Sequence, residues 1–502
     1  MPTEIKVLIA GAGIAGLASA IALRRLDTAD VRFDIQLFDK ATELREIGAS
    51  IALSPNGLRT LERLGVDNAL GDDVGFRGPS ARPMIYHHWK TNEVVSADEF
   101  VDVPDRKHQT ARFHRAHLHS ALLAHVPGET IHLGKVVESA AVDDRGDDAD
   151  GVTLLFKDGT SAKGDVLVGA DGLRSKVRRA FVPEHTLHYT GRTWIRSTFD
   201  ASLVDDIADL PSDSAHWWGP RYTFFASRLG KNMYTTVGNF DPDDFPAERE
   251  GGGGRQDKSV RWDQEGDVAF FRHLYRDWNP VVKALADATP HVRLYPNLAG
   301  EPLESWVFAK RVTLVGDAAH THGGAHAAGG SLALDDAWAL YRSLEHVLKA
   351  TAVEQLKPKG GDDGGSGGGA GSKPKSLGAS QLERAFTLYD KTRRPHTTRL
   401  VLSVLAAAEG NATTPGTDEQ LRQKMINRPN MTWLTEHDVE ATFARVLETE
   451  NRQEREEKKN DHEYHDQVEK ETKEHHVQVE EDGVAFDDIK DAIMDVPVVM
   501  VK

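Results

Sequence analysis

"IKVLIAGAGIAGLASAIALRRL", Ile5 to Leu26, reads as a buried strand, a glycine turn and an amphipathic helix. The turn is Gly11-Ala12-Gly13-Ile14-Ala15-Gly16, a G-x-G-x-x-G. Gly11 permits the tight turn, Gly13 lets a pyrophosphate approach the backbone, and Gly16 lets the helix pack on the strand. The helix N-terminus then stabilises the phosphate charge. Alone, such a motif is weak evidence, and a ligand-free glycine turn is the alternative. Here the next strand, "FDIQLFDK" (Phe33–Lys40), ends at Asp39-Lys40, and Asp39 lies 23 residues past Gly16. An acid placed there accepts the adenosine ribose hydroxyls.

Outward from this unit, strands and helices alternate to about residue 190, as in α/β folds. From Trp194 to Tyr234 aromatic and β-branched residues alternate with polar ones, which predicts antiparallel strands with one buried face. "REGGGGRQDK" (Arg249–Lys258) reads as a surface loop, and "KPKGGDDGGSGGGAGSKPK" (Lys357–Lys375) as a flexible linker with no means of building a core. A helical pattern follows. The charge-dense stretch Thr449–Asp482 reads as a solvated helix, with a partner-binding helix as the alternative.

The chain has 502 residues, enough for two or three domains. Its 61 basic and 78 acidic side chains give a net charge of -17, which argues against nucleic acid or an anionic membrane as partner. It has no cysteine, so thiolate, disulfide and iron–sulfur chemistry are excluded, and redox work falls to a bound cofactor or a His/carboxylate metal. Val7–Leu23 is an uncharged run open to reading as a signal peptide or anchor. It is short for a span and broken by glycines, so a strand–turn–helix, no membrane span and a cytoplasmic location are expected.

Two further motifs follow the first. In "GDVLVGADGLRSKVRRAF" (Gly164–Phe181) a strand runs into Asp171-Gly172 and a helix carrying Ser175 and Arg178; a turn with an ordinary capping aspartate is the competing reading. In "RVTLVGD" (Arg311–Asp317) a strand ends at Asp317, where a carboxylate repels phosphate but accepts ribityl or ribose hydroxyls. The small residues Ala328, Gly329 and Gly330 then open a helix close to a ligand.

In this order and at these separations, the three motifs resemble the class A flavoprotein aromatic monooxygenases, nearest the fungal salicylate-hydroxylase-like branch. "EIGASIALSPNGLRTLERLG" (Glu46–Gly65), "FHRAHLHSALL" (Phe113–Leu123) and "TWLTEHDVEATF" (Thr432–Phe443) extend the resemblance over roughly residues 5 to 445. It implies an α/β fold: a Rossmann-type FAD-binding domain interleaved with a mixed or antiparallel β-sheet substrate domain, then a C-terminal helical region. The implied FAD-binding parts are 1–77, 109–190 and 301–356, with substrate-domain parts 78–108 and 191–300. A linker at 357–380, helices at 381–448 and a charged tail at 449–502 complete the chain.

The resemblance further implies FAD as cofactor and NADPH or NADH as transient co-substrate. A small aromatic substrate would be hydroxylated with O2 through a flavin C4a-hydroperoxide, by a monomer or homodimer. Gly48 and Ala49 would line the cofactor and Arg115 would touch it, a helix-cap role being its alternative. The sequence departs from the family where a proline and G-Q-G are usual: Gly324 and Ala327-Ala328-Gly329 stand there. His320, His322 and His326 have spacings a metal tolerates, but His320 belongs to the flavin motif and no metal is expected.

For catalysis, the resemblance points to Arg196 in "TWIRSTF", with His216 and Tyr222 of "HWWGPRYTFF" as further candidates; sheet packing is the alternative for each. A cation or base near a phenol raises its ring electron density. The alternatives in function are tailoring of a larger phenolic or polyketide metabolite, and a flavin-binding interaction protein that has lost turnover.

Overall fold

In the computed structural model the described residues are 2–44, 49–143, 151–241, 244, 260–356, 377–409 and 416–481. Gly48, the Arg249–Lys258 loop, the Lys357–Lys375 linker and the end of the charged tail lie outside them.

The opening stretch folds as read. Thr3–Ala10 is a strand whose inner half is fully buried, and Ile14–Leu23 is a helix capped at Gly13. The strand sits inside a six-stranded sheet. In order the strands are Val307–Phe308, Val312–Leu314, Val166–Gly169, Thr3–Ala10, Val31–Phe38 and Ile131–His132. Every pairing is parallel except the edge hairpin. Parallel strands need both faces covered, which explains the near-continuous apolar runs of the central strands. All three nucleotide-type motifs therefore leave the same, carboxyl end of neighbouring strands, where ligands of open α/β sheets bind.

A second sheet has eight strands. They run Gln264–Gly266, Val292–Gly300, Leu187–Asp200, Met233–Phe240, Thr223–Leu229, Ala215–Trp218, Ile85–His88 and Val94–Ala97. It is antiparallel save for one parallel pair, Ala215–Trp218 with Ile85–His88. One face is closed by helices Val268–Leu274 and Pro280–Ala288, over a core of Ile195, Trp217, Phe224, Phe271, Tyr275 and Leu285. The region after the glycine-rich stretch is helical, beginning with Ala379–Glu409. The expected combination of a parallel nucleotide sheet, a mixed substrate-type sheet and C-terminal helices is thus the observed one.

Met1–Phe443 forms one compact unit and Ala444–Lys502 a second. The second is helical as far as Glu481, and its side chains from Asn451 to Val468 are almost all exposed. No described helix is long and apolar enough to cross a membrane.

Candidate functional site

The three glycines of the first turn answer to different demands. Gly11 has φ +104°, and a Cβ there would lie 2.4 Å from the Ala170 carbonyl oxygen. A Cβ on Gly16 would lie 1.9 Å from the Gly11 carbonyl oxygen. Both glycines are required by the protein's own backbone. Gly13 is not: its φ of -75° suits any residue, and a Cβ there meets nothing within 4 Å. Open space at the N-terminus of a helix, beside a residue that the fold itself does not require to be glycine, is the shape a phosphate occupies. The residues present therefore fit the pyrophosphate of a dinucleotide.

Around this turn, Asp39 accepts from the Ala12 N–H (2.8 Å) and the Ala41 N–H (2.8 Å), each carboxylate oxygen keeping room for another donor. Lys40 beside it is exposed. His119 Nε2 lies 2.8 Å from the Ala12 carbonyl, tying the helix Arg115–Leu123 to the turn. Arg115 opens that helix, half-buried, and its N–H donates to the Ala49 carbonyl (2.8 Å). Ile14 is buried, whereas Gly13 and Ala15 keep exposed surface.

The second and third motifs are joined by one side chain. Arg178, buried, donates to the carbonyls of Asp317 (3.2 Å), Ala318 (2.9 Å) and Leu173 (2.8 Å). Asp171 is engaged as a cap: it accepts from Ser175 Oγ (2.5 Å), the Lys176 N–H (2.6 Å) and the Val177 N–H (3.2 Å). Burial pushes its carboxyl up. Gly172 follows at φ +77° with open space around it. Asp317 points outward, exposed. Gly316, at φ +60°, would place a Cβ 2.9 Å from that of Ala15, so the third motif abuts the first. Ala328 is buried, and Gly330 is packed too tightly against Ile51 for a Cβ (2.8 Å). Gly329 has room for a Cβ in ordinary contact, 3.5 Å from His322 Nε2 and 3.8 Å from Asp317 Oδ1.

Sequence reasoning missed what holds this loop. Asp336 accepts from the Gly316 N–H (2.9 Å) and Arg393 Nε (2.8 Å), with His320 Nε2 at 2.6 Å, all in the core. Asp335 beside it accepts from Thr60 Oγ1 (2.7 Å) and Asn56 Nδ2 (2.9 Å). The signal was present: two adjacent acids inside the apolar run Leu332–Leu340 need buried partners. His320 is thereby a structural side chain. His322, also buried, has neither ring nitrogen bonded among the described residues, and burial pushes its pKa down to about 4. His326 sits at φ +54° in the same loop. No group of three or more His, Asp or Glu among the described residues is placed to hold a metal.

The eight-stranded sheet supplies the opposing wall. Arg196, opposite Val237, points to the face away from the helix-covered core, as do Phe225 and His216. Its guanidinium lies over the rings of Trp194 (5.9 Å) and Tyr295 (5.6 Å). It has no hydrogen-bond or ion-pair partner among the described residues, and burial and then Arg115 push its pKa down. A Cβ on Gly324 would lie 3.8 Å from Nη2, so Arg196 stands beside the loop of the third motif. His216 shares the face at the other end, among Tyr86, Trp218 and Phe225. Tyr222 is not brought there: it precedes its strand, packs beside the helix-covered core, and its hydroxyl donates to Asp244.

The profile of the FAD binding domain family matches residues 4–223 and 300–358. The chain is 30% identical over 346 residues to a 3-amino-4-hydroxybenzoate 2-monooxygenase of Streptomyces cremeus, covering 68% of this chain and 79% of that enzyme. It is 26% identical over 458 residues to a salicylate hydroxylase of Pseudomonas putida, covering 88% and 93% respectively. A salicylate hydroxylase substrate complex superposes with a TM-score of 0.65 at 21% identity, over 88% of this chain and 98% of that one; at such identity the likeness concerns the fold.

Proposed function

The chain belongs to the FAD binding domain family and is a class A flavoprotein aromatic monooxygenase, and from that premise we propose that it uses NAD(P)H and O2 to hydroxylate an anionic phenolic ring held at Arg196. The observation that carries this reading is the state of that side chain. A half-buried guanidinium without a carboxylate partner is costly unless something anionic completes it. It stands on the wall facing the third motif, between two aromatic rings.

Bound FAD supplies the hydride and oxygen chemistry; the chain supplies position and electrostatics. Gly13 and the helix it caps receive the pyrophosphate, Asp39 the adenosine ribose, and Asp317 the ribityl hydroxyls. Arg115 and Ala49 flank the same cradle. Arg196 binds the phenolate or carboxylate and orients the ring edge, its charge favouring the electron-rich form of the substrate. Trp194, Val237 and Phe225 keep the face apolar, and so limit water where the ring lies.

The deciding experiment incubates the FAD-loaded protein with a panel of phenolic acids. NAD(P)H oxidation and the mass of the product are followed separately. Oxidation stimulated by a phenolic acid, with a product heavier by one oxygen, is the expected result. A flavin-loaded protein that no member of the panel stimulates would indicate the non-catalytic flavin-binding alternative.

A further inference from the structure

We propose that the substrate is a two-ring aromatic anion, its charged group at Arg196 and its second ring over Phe225 and His216. This rests on the reading of Arg196 as the anion site and adds the size class of the molecule.

One row of side chains crosses the sheet at a single register. Arg196 is opposite Val237, Val237 opposite Phe225, Phe225 opposite His216, and His216 opposite Tyr86. All five keep exposed surface. Their neighbours Ile195, Phe224 and Trp217, facing the other way, are completely buried. Aromatic side chains left part-open on the inner face of a sheet, with polar atoms orphaned beside them (Trp194 Nε1, Arg196 Nε), mark a wall that a ligand completes.

The row is long. Adjacent strands lie ~4.8 Å apart, so Phe225 is ~10 Å and His216 ~14 Å from Arg196 along it. The guanidinium does not shorten the span, since it leans the opposite way, over Trp194 and Tyr295. A single ring anchored there covers Val237 and leaves Phe225 and His216 bare. The middle of the row is apolar. Arg112 lies over the Phe225 ring (5.4 Å) and donates to the Pro83 carbonyl (2.9 Å) and Ser214 Oγ (3.3 Å), and Arg428, bonded to Asp98 (2.6 Å), covers Tyr86 (3.3 Å), so both far cations are already engaged. His216 is neutral: burial, then Arg428 and Arg112, push its pKa down to about 3. The far end thus offers neutral aromatic faces, suited to stacking a second ring.

The test uses salicylate and 4-phenylsalicylate, which share a head group and differ by one ring carried para to the carboxylate, along the row. Each is titrated into the FAD-loaded enzyme while the flavin absorbance is followed. The biaryl acid is expected to bind at least 10-fold tighter. Val237→Phe, which fills the row between its two ends, should weaken the biaryl acid at least 10-fold more than salicylate. Flavin content and melting temperature verify the variant; if it fails to hold FAD, Phe225→Ala replaces it with the same expected contrast. Equal affinities in the wild type, equal losses in the variant, or no response to the biaryl acid overturn the proposal. Arg196→Ala separates it from the reading beneath: unchanged binding of both ligands removes the anion site itself. A normal dependence on Arg196 with equal affinities overturns the two-ring inference alone.

Discussion

His320 and Asp336 meet in the core with 2.6 Å between Nε2 and Oδ2, and the same carboxylate oxygen receives the Gly316 N–H at 2.9 Å. A buried carboxylate from a long helix thereby fixes the loop that carries Asp317. Arg393 completes the group on the other oxygen at 2.8 Å.

Removing that guanidinium should be severe. Arg393→Leu leaves Asp335 and Asp336 adjacent and buried with too little positive charge. Breaking a buried ion pair from one side costs about 3–5 kcal/mol. The expected outcome is a lower denaturation midpoint with an unchanged slope, and loss of flavin from the purified protein. A wild-type midpoint would mean that water or a rearranged partner neutralises the pair.

The glycines of the first turn should separate by what they lose. Gly16→Ala drives a methyl against the Gly11 carbonyl, 1.9 Å away, and should destabilise the fold itself. Gly13→Val has free space and an ordinary φ, so it should fold and melt like the wild type yet fail to bind FAD. Calorimetry of the protein without flavin, beside flavin content after reconstitution, distinguishes the two.

For Arg196, an electrostatic contact inside a dry site contributes about 3 kcal/mol, so Arg196→Ala should lower substrate-stimulated turnover by roughly 10²-fold with FAD retained. Arg196→Lys should recover only part, because a point charge lacks the planar fork. If NAD(P)H is consumed while product falls, the residue acts on orientation during oxygen transfer. If both fall together, it acts on substrate binding.

Acid should weaken the fold in two stages. Burial pushes His216 to about 3, His322 to about 4, and, with Arg393 and His437, His396 to about 2, all from an ordinary 6.5. Below about pH 6.5 the unfolded chain takes up protons that these folded imidazoles refuse, so stability is whole above that pH and declines beneath it. Asp336, which burial pushes up but His320 and Arg393 hold down at about 2, adds a second loss between roughly pH 4 and 2. Denaturant melts at pH 7.5 and 5 should show a lower midpoint at the acid value, and His396→Leu should flatten the difference.

How much was legible follows from the range of each signal. Strand, turn and helix at Ile5–Leu26 were readable because period, glycine spacing and apolar runs are local. Arg196 was a candidate because the family resemblance points to it; the alternating texture around it predicted only the strand on which it sits. Which members of "HWWGPRYTFF" would join it was not readable. The turn at Gly219 ends one strand and Thr223 starts the next, so Tyr222 falls outside the alternation that carries His216 and Phe225 to the open face. Arg178 and Arg393 were illegible as anchors, since each finds its partners across a large gap in sequence that only the folded sheet and helices close.

That last separation has a consequence in time. Arg393 lies 57 residues beyond Asp336, past the glycine-rich stretch. A nascent chain that has just emitted that stretch already contains all three nucleotide motifs, yet its two buried acids still lack their cation. Capture of the flavin is therefore expected late in biosynthesis, once the helix that carries Arg393 has left the ribosome. Truncation anywhere before that arginine should yield a colourless, protease-sensitive fragment rather than a smaller flavoprotein.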